Sequence, residues 1–181
     1  AVPYRGKIYW FWGDTSRPEY PLGNFRVSGA TSDLPGEGGL PPERGIDLHY
    51  FVDAKGFCKS LCPFKDSGLI WVDGVLTVND SSNRERLIAS YSHRKSLEEM
   101  LEHGLAAFND ERQEFEKVVE FDFEKKWQCP RSHPFRVEEE GSAYFYFPTP
   151  FPNTRVGADY ASLQDQSRYE AFTCLKPGTR Y

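Results

Sequence analysis

Three times along this chain a tight-turn sequence runs into a short apolar or aromatic strand. The turns are Arg5-Gly6, the cluster Asn79-Asp80-Ser81-Ser82-Asn83, and Glu139-Glu140-Gly141. They lead into Lys7-Ile8-Tyr9-Trp10-Phe11-Trp12, Arg86-Leu87-Ile88-Ala89-Ser90-Tyr91 and Ser142-Ala143-Tyr144-Phe145-Tyr146-Phe147. A glycine-bearing run follows each, at Asn24 to Ala30, Gly104 to Phe108 and Arg155 to Ala161, and then a fourth run, at Asp47 to Val52, Phe115 to Phe121 and Tyr169 to Cys174. A first strand precedes the series at Ile70 to Val78 and at His133 to Val137; in the first unit it is expected to lie before Ala1. Self-similarity of this kind, built from consecutive short strands and turn clusters, predicts an all-β chain of antiparallel four-stranded meanders, each resembling a propeller blade. The expected units are residues 1–66, lacking the first strand, then 67–126, complete, and 127–181, complete or nearly so. A jelly roll or sandwich with the same strand count is the competing fold, and the repeat speaks against it.

Propellers close with at least four blades, so three units predict a fragment or subdomain whose partners include the remaining blades. Between the third and fourth runs of the first unit, Thr31 to Gly45 is too rich in Gly and Pro for regular structure. A single short helix is expected at Ser96 to Glu102, where Ser96 and Glu99 match a capping box.

Composition narrows the partners. Aromatic residues make up 15% of the chain, enough both to build strands and to line a sugar-binding cleft. A net charge of −5 supplies no basic stripe for nucleic acid, and no apolar run approaches a membrane span. Cys58, Cys62, Cys129 and Cys174 lack the second close pair that a zinc site needs, so thiols or disulfides are expected rather than a metal.

Chemistry concentrates where first strands begin. Asp73, before Gly74-Val75, and His133, before Pro134-Phe135, occupy nearly corresponding places in successive units. A carboxylate and an imidazole converging on one pocket can serve as general base and general acid. The plainer reading makes Asp73-Gly74 a turn or bulge and His133-Pro134 the start of a strand. Asp14, in Gly13-Asp14-Thr15, is a third candidate at the same rim, with a turn cap as its alternative. Trp12 and Trp71 are candidate stacking faces, as are Trp10 and Trp127, although packing between sheets is the competing use of all four. Arg155, with Arg17 and Arg26, is placed to hydrogen-bond a substrate, or else is a solvated charge. Glu138-Glu139-Glu140 reads as solvated, with a reach into a pocket as the alternative for Glu138.

These residues together resemble a known group. Gly6 to Thr15, Trp71-Val72-Asp73-Gly74, and His133-Pro134-Phe135 with the aromatic Tyr144 to Phe147 are similar to five-bladed β-propeller glycoside hydrolases of the family 43, 62 and 117 group and to related bacterial propeller proteins. The resemblance implies that the chain carries about two and three-quarter blades of five. It implies hydrolysis of a plant or algal polysaccharide or oligosaccharide, sometimes with calcium in the central channel and with no required cofactor. His133 would then stand where one branch is proposed to carry a histidine acid, and Asp73 would match a channel carboxylate, as base or as modulator of the acid. Polysaccharide substrates imply a secreted or periplasmic setting. No Glu matches the usual general acid in the third unit, so this chain alone is expected to be inactive, and a non-catalytic carbohydrate-binding or protein-interaction propeller is the alternative.

Overall fold

Two-residue turns begin the first and third sheets. Arg5 and Gly6 have φ of +47° and +74°, and Glu140 and Gly141 have +49° and +81°. Positive φ at both central residues is the twist-matched hairpin turn, and glycine at the second position takes it without strain. The computed structural model describes residues 1–13, 27–64, 69–149, 154–172, 176 and 178. Across these, twelve strands form three antiparallel sheets, each of four strands in chain order.

The first sheet holds β1 (Val2–Tyr4), β2 (Lys7–Trp12), β3 (Ser28–Asp33) and β4 (His49–Tyr50). The second holds β5 (Leu69–Asn79), β6 (Glu85–Arg94), β7 (Met100–Asn109) and β8 (Glu114–Glu120). The third holds β9 (Phe135–Glu139), β10 (Ser142–Phe147), β11 (Thr154–Gly157) and β12 (Glu170–Ala171). The all-β meander reading is thus met, with four differences.

The first unit does not lack its first strand: Val2–Tyr4 pairs with β2, from Val2 opposite Tyr9 to Tyr4 opposite Lys7. Pro3 hides it in the sequence, because proline lowers the strand signal yet is tolerated on an edge. Ser96 to Glu102 is not helical. Ser96 Oγ accepts from the Glu98 and Glu99 amides within the β6–β7 turn, and β7 already begins at Met100. A capping box without a long apolar face behind it nucleates only a turn. The run from Arg155 to Ala161 ends as a strand at Gly157, and a helix, α1 (Tyr160–Gln164), follows, with the Asp159 carboxylate accepting from the Ser162 amide at 2.8 Å. Finally, Thr31 to Asp33 of the presumed loop belong to β3.

Two apolar cores explain the stacking. Val75, Leu87, Ala89, Tyr91 and Ala106 face Tyr4, Phe51 and Leu61 in one core. Leu76, Ile88, Leu105 and Ala107 face Phe145, Phe147, Val156 and Leu163 in the other. Neighbours along one strand, such as Val75 and Leu76 or Ala106 and Ala107, therefore enter opposite cores, as the two-residue period requires. The second sheet is buried on both faces, which is why Leu87-Ile88-Ala89 reads as unbroken apolar sequence. The first strands come together: β1 lies against β5, and the Ser132-His133 backbone leading into β9 lies on Gly74 of β5.

Candidate functional site

Asp73 is the extra residue of a β-bulge. The β5–β6 ladder passes from Val72 opposite Tyr91 directly to Gly74 opposite Ser90, leaving Asp73 without a cross-strand partner. A bulge re-aims the side chain it carries, so the plain structural reading of Asp73-Gly74 and the functional one describe the same geometry. Asp73 Oδ1 accepts from Ser92 Oγ at 3.4 Å, while Oδ2 is buried with no hydrogen-bond partner. The side chain is 20% exposed, so its open part lies on the Oδ1 side. Arg94 Nε donates to the same Ser92 Oγ at 3.4 Å, and its guanidinium lies 5.3 Å from the Trp71 ring centroid.

His133 reaches the same place because Gly74 has no side chain. A Cβ there would sit 2.2 Å from the Ser132 carbonyl oxygen. In this close approach His133 Nδ1 lies 3.1 Å from the Val75 carbonyl oxygen. A carbonyl only accepts, which assigns the proton of the neutral ring to Nδ1 and leaves the Nε2 lone pair free of that bond. Asp73 and His133 line one cleft with Phe11, Trp12, Gly13 and Val72. Its volume of about 70 Å³ holds roughly two water molecules, so an oxygen of a larger molecule enters it and a sugar ring does not. Beside it the exposed rings of Trp12 and Tyr50 pair with centroids 5.8 Å apart.

Behind Asp73 lies a group that the repeat pattern did not single out. His103 on β7 is fully buried, pairs across the sheet with Ser92, and holds Nδ1 3.9 Å from Asp73 Oδ2. Its Nε2 lies 3.1 Å from the Pro130 carbonyl, which again assigns the proton. Arg131 follows Pro130, and its Nε is buried without a hydrogen-bond partner. The available signal was polar residues, Ser92 and His103, on strands whose neighbours are buried and apolar.

Burial pushes the Asp73 carboxyl upward, against the Ser92 hydrogen bond and the charges of Arg131 and Arg94. Burial also pulls His103 down from 6.5 to about 4, helped by Arg131 and resisted by the Pro130 and Tyr91 carbonyls. The two act on stability with opposite signs. Keeping His103 neutral contributes stability that is present above pH 6.5 and lost as pH falls toward 4, whereas the raised Asp73 contributes stability at low pH that is lost as pH rises. Asp73→Asn removes the second effect and leaves the first alone. The stability of that variant relative to the native chain is expected to fall, by up to about 1.4 kcal/mol per pH unit, as pH drops through the raised range of Asp73 toward the ordinary carboxylate value of 3.8, read from urea unfolding at a series of pH values. Parallel curves would show that folding does not raise the Asp73 carboxyl.

The other candidates stand apart from the cleft. Trp71 is on β5 but covers Arg94. Arg155 is committed to the third sheet, where Nε and Nη1 pair with Glu170 and Glu139 at 2.9 Å each and the guanidinium lies 4.4 Å from the Tyr144 centroid. That network engages Nε and Nη1, and Arg155 is not among the residues that line the cleft. Trp10 Nε1 donates to Ser32 Oγ, Trp127 is exposed outside the cleft, and Glu138 pairs with Arg136. Asp14, Arg17 and Arg26 lie outside the described residues, although Gly13, just before Asp14, lines the cleft. Cys58 and Cys129 are free thiols. Among the described residues no three His, Cys, Asp or Glu side chains cluster to hold a metal ion.

Comparison with protein families, with characterised proteins and with solved structures found no match to this chain.

Proposed function

We propose that the three sheets are consecutive blades of a five-bladed propeller and that the protein hydrolyses glycosidic bonds of a plant or algal polysaccharide or oligosaccharide. The convergence of the first strands supports the propeller reading, since radial blades bring their innermost strands together. One observation carries the functional reading: a half-buried carboxyl and an oriented imidazole line a single cleft whose rim presents Trp12 and Tyr50. Exposed aromatic faces stack on sugar rings, and a cleft of this size receives the glycosidic oxygen while the ring stays on the rim.

The two groups divide the proton work by their surroundings. Burial favours the protonated carboxyl, so Asp73 is the group that delivers a proton to the leaving oxygen. His133, with Nδ1 given to Val75, offers Nε2 as the acceptor of a proton from water. These roles exchange those that the resemblance implied. The remaining blades supply the rest of the pocket.

The test uses the full-length protein and plant and algal polysaccharides, with release of reducing ends as the readout. Native protein is expected to release them, and Trp12→Ala is expected to raise KM about tenfold with little change in kcat. Retention on the polysaccharide with no reducing ends released would overturn hydrolysis and leave the cleft as a sugar-binding surface.

A further inference from the structure

Asp73 Oδ2 and His103 Nδ1 are buried without hydrogen-bond partners, as is Nε of Arg131, whose charge acts on both groups. Buried polar atoms are nearly always bonded, so an orphaned set marks a site with a task. The first two face each other at 3.9 Å. In the tautomer that gives the Nε2 proton to Pro130, Nδ1 presents a lone pair toward Asp73 Oδ2, with the Tyr91 carbonyl as the competing acceptor beside the ring. An ionised Asp73 presents another. Two facing lone pairs repel, and a single proton between them satisfies both, after the atoms approach by about 1 Å into hydrogen-bond range.

We propose that Asp73 and His103 hold one proton between them, with His103 as the positioning residue that keeps the carboxyl loaded on the side away from the cleft. The proton resides on Asp73 Oδ2 and is accepted by His103 Nδ1, and its transfer gives a carboxylate and an imidazolium with no change in total charge. Arg94 from β6 and Arg131 from the segment before β9 oppose a second proton. His133 lines the same cleft as Asp73, and His103 lies outside it. Glu102, held by Tyr91 and Lys117, projects from the opposite face of β7, and His93 from that face of β6. The shared proton requires no substrate; in the hydrolase reading above it reaches the leaving oxygen only once the carboxyl turns to carry it from the buried Oδ2 position to the open side of the cleft.

The experiment is NMR titration of the Asp73 carboxyl carbon and the His103 ring nitrogens in the full chain, native and in two variants. In native protein Nε2 is expected to carry the proton near neutral pH, with both residues reporting the same apparent titration steps, as coupled groups do. His103→Gln keeps an amide toward Pro130 and loses the Nδ1 acceptor. His103→Asn keeps a polar group toward Asp73 and loses Pro130. The proposal expects Asp73 to titrate about one pH unit lower in His103→Gln and to stay near its native value in His103→Asn. Equal shifts in both variants, or none in either, would mean that His103 only packs. If His103→Gln does not fold, independent titrations of the two residues in native protein overturn the proposal on their own. None of these readouts involves a sugar, so a shared proton without hydrolysis would sink the hydrolase reading and leave the pair standing.

Discussion

Replacing Gly74 by alanine is expected to destabilise the chain by about 3 kcal/mol or more and to displace His133 from the cleft. The new Cβ would lie 2.2 Å from the Ser132 oxygen, 2.4 Å from its carbonyl carbon and 2.8 Å from the His133 nitrogen. All three are backbone atoms, so no side chain can swing aside. The segment is also held from behind, since the Arg131 amide donates to the Thr149 carbonyl at 2.9 Å and Ser132 Oγ donates to Thr149 Oγ1 at 3.2 Å. Ser132 itself has φ of +67°, a conformation with little room to adjust. Relief must come from opening the bulge or lifting the segment, and either breaks the bond from His133 Nδ1 to Val75. Thermal unfolding should fall by roughly 6–12 °C, with the His133 ring resonances moving toward those of a free imidazole. A midpoint within a degree of the native value would show that the contact yields freely.

Asp73→Asn separates chemistry from folding. Asparagine keeps the size of the side chain and its acceptor toward Ser92 Oγ, and it removes a carboxyl that burial disfavours in its charged form. Near neutral pH the midpoint of unfolding should therefore stay close to the native one. If Asp73 delivers the proton to the leaving oxygen, kcat of the full-length protein falls by about 10²- to 10⁴-fold with KM little changed. Turnover that survives the substitution would remove Asp73 from the mechanism.

Asp73 and His133 were legible as a pair because the repeat puts them at matching places in successive units, and the first strands do converge there. His103 was not, although it lies nearer to Asp73 Oδ2 than any other ionisable group given above. It reaches the site through cross-strand register, by way of Ser92, and register is a property of the fold rather than of local sequence. Arg155 shows the converse. An arginine near a loop looks free until the strands that carry Glu139, Tyr144 and Glu170 are aligned beside it. The second sheet was read nearly strand for strand because its runs are long and its turns rich in Asn and Asp. Among the short edges, β4 and β12 were marked by the runs Asp47 to Val52 and Tyr169 to Cys174, whereas β1, three residues with Pro3 among them, carries too few for a period to show.

The second sheet makes one further demand on the molecule. It is a party wall, one peptide layer thick, with a room on either side. Moving Val75 to suit the first sheet moves the peptide that also carries Leu76 into the third. Neither room can be refurnished on its own terms, and a disturbance in one is passed through the wall within a single residue. Such a wall binds the three sheets into one cooperative unit, and it makes the small residues Ala89, Ala106 and Ala107 as hard to replace as the large rings they face.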